Sequence, residues 1–151
     1  MTPIISLQSI TTSAGRSVGV DRFAILPGQH WGVIGGNGSG KSTFAAMLSS
    51  ASTLAEAQRH PELEKILTVS FEDEQKLLER EIYEDDSEAL DKIDTGRTTH
   101  ELISEHLVDS VDLDKIIDTM QLGDFLHTGF RLLSTGERRR MMIARALSQD
   151  P

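Results

Sequence analysis

The spacing of apolar residues changes along the chain, and each change marks an element. Ile4 to Ile10 and Ser17 to Ile25 are short runs rich in β-branched residues, separated by Ser13-Ala14-Gly15-Arg16, which predicts two strands joined by a turn. Pro27-Gly28 predicts a tight turn, because proline pre-sets φ and glycine takes the positive φ of a type II turn. His30-Trp31-Gly32-Val33-Ile34 reads as a short buried strand that runs into a glycine-rich loop. From Lys41 to about Ser50 the spacing becomes helical, with Phe44, Met47, Leu48 and Ala51 on one face. Ile66 to Phe71 predicts another strand, and an acidic helix follows between Glu72 and Leu90.

After a loop at Asp94-Thr95-Gly96-Arg97, Thr98 and Glu101 have capping-box spacing and open a helix that carries Leu102, Ile103, His106 and Leu107. Asp112 starts a helix through Ile116, Ile117 and Met120, closed near Gly123. Ser134 or Thr135 opens the last one, through Arg138 to Leu147. Strands first and helices later suggest an α/β nucleotide-binding core with an inserted helical subdomain.

Composition narrows the class. The 151 residues, 38% of them hydrophobic, suit one globular domain with a real core. Without cysteine there is no thiol chemistry, no disulfide and no Cys-based metal site. No apolar run approaches the roughly 20 residues that span a bilayer, and the start lacks the pattern of a signal peptide, so a cytoplasmic protein is expected. The net charge of −9 argues against broad nucleic-acid binding. Eleven acidic residues against Lys76, Arg80 and Lys92 give the segment Glu72 to Asp94 a net of −8, read as a solvated face. Near the other end Arg131, Arg138, Arg139, Arg140 and Arg145 stand against Glu137 alone.

The sharpest motif is Gly35-Gly36-Asn37-Gly38-Ser39-Gly40-Lys41-Ser42, which fits G-x-x-x-x-G-K-[ST] and is continued by Thr43. Its glycines let backbone N–H groups wrap around phosphate oxygens, and the loop feeds a helix N-terminus that favours an anion. Lys41 brings a movable charge to the β- and γ-phosphates, and the Ser42 hydroxyl is small enough to ligand Mg²⁺. ATP and Mg²⁺ are therefore the expected ligands. Asn37 is the only asparagine, which excludes an N-K-x-D guanine-reading motif.

Leu133-Ser134-Thr135-Gly136-Glu137 supplies a second helix tip, with Glu137 in capping-box position to Ser134 and the run Met141 to Leu147 ending in Ala-Arg-Ala-Leu. With the loop at Gly35, this resembles the ATP-binding cassette (ABC) family, whose L-S-G-G-Q signature opens a helix ending in A-R-A-L. Thr135 replaces one signature glycine, and Glu137 replaces the glutamine. The resemblance implies a P-loop NTPase fold with an antiparallel β subdomain, a partial RecA-like core and an inserted α-helical subdomain. Residues 1–71 would form the β subdomain and loop core, 72–133 the helical subdomain and 134–151 the signature helix. It also implies that Ser134, Thr135, Gly136 and Glu137 meet ATP held by a second cassette, in the same parent chain or a homodimer. A membrane transporter subunit and a place at the inner membrane face go with it.

Asp94-Thr95-Gly96-Arg97-Thr98-Thr99, Ser70-Phe71-Glu72 and the signature stretch further resemble the tandem-cassette ATP-binding proteins of molybdenum transport and photorepair. Catalysis in the family needs an apolar run ending in Asp and followed by Glu, the Walker B strand. Lys115-Ile116-Ile117-Asp118 is too short for it, so no catalytic residue is assigned, and the chain is expected to be an N-terminal part that stops before that strand and lacks turnover. For the family's Q-loop, Glu72 follows Val69-Ser70-Phe71 directly and Gln75 comes three later; an amide can ligand Mg²⁺ without adding charge, which favours Gln75. No aromatic residue in Thr12 to Gly15 is placed to stack on adenine. Two other classes share the loop: a small-molecule phosphotransferase with Arg138 to Arg140 in a lid, and a non-catalytic module that binds ATP and docks through its acidic segment.

Overall fold

A computed structural model describes residue 3 and residues 5–12, 18–49, 58–59, 65–84 and 95–151. The chain divides into two compact units, Met1–Ile66 and Leu67–Pro151. In the first, strands β1 (Ile5–Thr12) and β2 (Val18–Ile25) pair antiparallel from Ile5 opposite Ile25 to Thr12 opposite Val18. The short β3 (Gln58–Arg59) adds to the other edge of β1, giving the order β2-β1-β3. The turn expected at Ser13 to Arg16 lies outside the described residues.

Alternation along β2 puts Phe23 and Ile25 on one face of the sheet. They pack with the buried Ile5 and Met47 and with Phe44, Leu48 and Ile66, so helix α1 (Lys41–Ser49) covers that face as its spacing predicts. Ala51 lies outside the described residues. Phe23 meets both Trp31 and Phe44 edge-on, at 5.1 Å between centroids in each case. Pro27-Gly28 turns as expected: Gly28 has φ +76° and the Gln29 N–H donates to the Leu26 carbonyl at 3.2 Å.

Two predicted strands are corrected. His30 to Ile34 joins no ladder among the described residues and is exposed, Ile34 at 94%. An apolar run becomes a strand only where a neighbouring backbone takes up its N–H and C=O groups. Ile66 to Phe71 is not a strand either. Ser70 caps helix α2 (Phe71–Tyr83), and its hydroxyl and the Asp73 carboxylate close a reciprocal capping box. Local capping overrides the apolar run. Residues 85–90 of the predicted acidic helix lie outside the described residues.

The second unit is helical. Thr98 and Glu101 form the predicted box at the start of α3 (Thr99–Ser104), whose Leu102 and Ile103 are fully buried. Burial of each such side chain stabilises by about 1.5–3 kcal/mol. The helix ends before His106 and Leu107, which are exposed rather than part of its apolar face. Asp112 caps α4 (Leu113–Met120) as expected, but Gly123 does not close it. Gln121 does, at φ 52°, with its N–H bonded to the Asp118 carbonyl and that of Leu122 to Ile117, a Schellman arrangement. Leu122 becomes fully buried there, which offsets the roughly 1–2 kcal/mol that a non-glycine residue costs in left-handed backbone. Gly123 starts a one-turn 3₁₀ helix instead.

Helix α5 (Thr135–Leu147) buries Met141, Met142 and Ala144 against Leu77, Phe130 and Leu133 in one core. Beneath it, Thr98 bridges Gly129, the Phe130 N–H donates to the Arg97 carbonyl at 2.9 Å, and that of Arg131 donates to Thr95 at 3.1 Å. A Cβ at Gly129 would fall within 2.4 Å of the Thr95 carbonyl oxygen, so only glycine permits this approach.

Candidate functional site

The loop Gly35–Thr43 lies in the first unit, ahead of and into α1. Gly38 and Gly40 hold φ +78° and +91°, backbone that other residues rarely adopt. The Ser39 N–H donates to the Gly36 carbonyl at 3.2 Å, which tightens the turn. Lys41 Nζ donates to the Gly35 and Gly36 carbonyls, each at 2.9 Å, so the ammonium bends over the loop rather than toward solvent. The Phe44 N–H returns to the Gly40 carbonyl at 2.8 Å and starts the helical ladder.

A cavity of about 420 Å³ is lined by Asn37, Gly38, Gly40, Lys41, Ser42 and Thr43. Its wall combines an ammonium group, two hydroxyls and the first amides of a helix. These are donors and small oxygen ligands. That set fits a polyphosphate with a divalent cation, for which a single hydroxyl suffices because Mg²⁺ keeps water and phosphate oxygens as its other ligands. Among the described residues no group of three or more His, Asp or Glu is arranged to hold a metal by itself. Gln75 sits half-buried on α2 and Glu72 is exposed there, both in the second unit.

The signature stretch forms the N-terminal tip of α5. The Ser134 hydroxyl accepts from the Glu137 N–H at 3.3 Å, and the Glu137 carboxylate accepts from the Ser134 N–H at 2.7 Å. Hydrogen bonding to the carboxylate, from the Ser134 side chain first and then from its backbone N–H, holds the Glu137 carboxyl below the usual carboxylate range. Ser134, Thr135 and Gly136 are exposed, and a Cβ at Gly136 would meet nothing within 4 Å. The tip is accessible from outside its own unit's fold.

The arginines after the tip behave differently from a free basic cluster. Arg138 Nε donates to the Leu133 carbonyl at 3.0 Å, and its guanidinium lies 5.9 Å from the centre of the Phe130 ring. Arg140 donates to the Gln121 carbonyl at 3.0 Å and stacks over Phe125 at 4.9 Å. Arg145 reaches Glu105 at 2.6 Å. Charge counting suggested a positive patch; the structure turns three of these arginines into their own unit. Only Arg139 of the triplet 138–140 is plainly exposed.

Sequence reasoning also missed an internal ion network. Glu81, buried on α2, takes three hydrogen bonds from Arg97, and Glu105 lies between Arg97 and Arg145. The hydrogen bond from Arg145, then that from Arg97, lowers the Glu105 pKa from 4.5 to about 2. Nothing in the sequence marks this network: the acidic segment reads as a solvated face, and the burial of Glu74 and Glu81, each 2% exposed, corrects that reading.

A family model described as ABC transporter matches residues 20–151. The chain belongs to the ABC transporter family. The P-loop NTPase fold follows from that membership, and the small antiparallel sheet and the helices are its elements here. Over 138 residues, 90% of this chain, it is 30% identical to the ABC transporter ATP-binding protein ModF of Escherichia coli (strain K12). The chain spans 28% of the length of that relative. No solved structure matches it. ABC proteins of this kind are ATP-binding ATPases that generally pair with a second cassette and with membrane subunits. Among the described residues no helix is long and apolar enough to cross a membrane.

Proposed function

We propose that this chain is the nucleotide-binding part of an ABC cassette, with Gly35 to Thr43 cradling the phosphates of ATP. Lys41 faces the β- and γ-phosphates, and Ser42 ligands Mg²⁺, the ion that neutralises phosphate charge when bound. Ser134, Thr135, Gly136 and Glu137 meet the nucleotide of a second cassette. In this reading residues 1–71 hold nucleotide, 72–133 form the helical subdomain, and 134–151 present the signature helix. The observation that carries the reading is the cavity of about 420 Å³ that brings Lys41, Ser42 and Thr43 together with Asn37, Gly38 and Gly40, with Lys41 Nζ held to the same loop by the Gly35 and Gly36 carbonyls.

Hydrolysis needs a Walker B Asp and Glu to hold the metal and polarise water, and the 151 residues contain no apolar run ending in that pair. Mg-ATP binding without turnover is therefore the expected behaviour of these residues alone, with hydrolysis in a parent that carries the carboxylates. The resemblance of Asp94-Thr95-Gly96-Arg97-Thr98-Thr99, Ser70-Phe71-Glu72 and the signature stretch to tandem-cassette proteins of molybdenum transport and photorepair, beside the likeness to the ABC transporter ATP-binding protein ModF, supports a place in one of those processes at the cytoplasmic side of the membrane. Titration with Mg-ATP tests the first step. The amide signals of residues 36–43 and the fluorescence of Trp31, the only tryptophan, are expected to shift together. Signals that stay in place at saturating nucleotide would end the reading.

A further inference from the structure

Helix α2 carries two buried carboxylates, Glu74 and Glu81, each 2% exposed and two turns apart on the same face. Buried acids need partners, and both find theirs next to the signature stretch. Glu81 Oε1 accepts from Arg97 Nε at 2.9 Å and from Arg97 Nη2 at 2.7 Å, while Oε2 accepts from the Arg97 backbone N–H at 2.7 Å. One carboxylate thus fixes both the side chain and the backbone of Arg97. The Arg97 carbonyl in turn accepts from the Phe130 N–H, three residues before Leu133. From the other side, Arg138 lies 3.8 Å from Glu74 and holds the Leu133 carbonyl through its Nε.

We infer that Glu81 is a positioning residue for the Ser134 tip, acting through Arg97 and the Phe130 amide, with Glu74 and Arg138 as the second hold. Leu133 is the last residue before the tip: the Arg138 side chain holds its carbonyl, and the Arg97 carbonyl holds the Phe130 amide three residues earlier, each anchored to α2 through a carboxylate. The capping box sets the internal shape of the tip; the two α2 carboxylates set where it stands on its unit. The consequence for nucleotide pairing rests on the proposed function, but the positioning itself does not.

The test is made on the 151-residue chain without nucleotide, so that it fails or succeeds independently of Mg-ATP binding. In Glu81→Ala, the amide signals of Phe130 to Glu137 are expected to move, and hydrogen exchange at Phe130 and Arg131 to quicken at least about tenfold, while the buried Leu102 amide changes less than about twofold. Glu81→Gln keeps an acceptor for the Arg97 N–H and is expected to restore most of the wild-type signals. If Glu81→Ala does not fold, Arg97→Lys serves instead: it keeps the charge but loses the fork, and the same local loss is expected. The inference is overturned if the folded variant leaves residues 130–137 unmoved. Exchange that quickens equally at Phe130 and Leu102 overturns it as well, because Glu81 is then a general stabiliser.

Discussion

Lys41 Nζ donates to the Gly35 carbonyl at 2.9 Å, so the charge that the motif places six residues away is folded back over the loop's own entrance. Replacing Lys41 with Ala removes that charge without touching the buried core, and stability is expected to change by no more than about 0.5 kcal/mol. Hydrogen bonds from an ammonium to phosphate are worth about 1.5–3 kcal/mol. Mg-ATP affinity is therefore expected to fall about tenfold or more in Lys41→Ala, read from Trp31 fluorescence. Equal affinity in the two proteins would remove the lysine from the site.

Gly136→Ala separates folding from pairing. The added methyl meets nothing within 4 Å in its own unit, and alanine is the better helix former by up to about 1 kcal/mol. The variant is expected to melt at the same temperature or slightly higher. If the tip meets a neighbouring cassette's nucleotide, ATP turnover in the full-length protein is expected to fall. A variant that melts lower contradicts the geometry; unchanged turnover contradicts the pairing.

Gly129→Ala is expected to act in the opposite way. Its Cβ would fall 2.4 Å from the Thr95 carbonyl oxygen, a backbone atom that cannot rotate aside. Forced displacement of this kind costs about 1–3 kcal/mol. At roughly 4–8 °C per kcal/mol for a unit of this size, a drop of at least about 4 °C is expected in thermal unfolding.

Acid titration should expose Glu105. Its pKa is about 2 in the folded chain against an ordinary 4.5, because Arg145 and Arg97 bind its charged form. A carboxylate depressed on folding contributes stability that is full above about 4.5 and is lost as pH falls toward about 2. The melting temperature of the wild type is therefore expected to fall more steeply across that window than that of Glu105→Gln. Parallel curves would mean that the network adds nothing to stability.

How much of this could be read from the sequence depended on how local the cause was. The loop at Gly35, the boxes at Thr98 and Ser134, the cap at Asp112 and the Pro27-Gly28 turn all lie within a few consecutive residues, and all are found where expected. The family was legible from the loop and the signature together. Errors arose where the cause was distant. Trp31 to Ile34 has a strand's composition, yet pairing depends on a neighbour's backbone. Gln121 took the left-handed position because burial of Leu122 outweighed the preference for glycine. The arginines looked like one patch because charge counting ignores which way Arg138, Arg140 and Arg145 turn.

Three helices of the second unit begin with the same reciprocal pair, Ser70 with Asp73, Thr98 with Glu101 and Ser134 with Glu137. Each start is written in four adjacent residues, so the bonds that close its first turn are local even where its position depends on distant partners. Mutational drift can reshape the surroundings of these helices while their first turns keep their form.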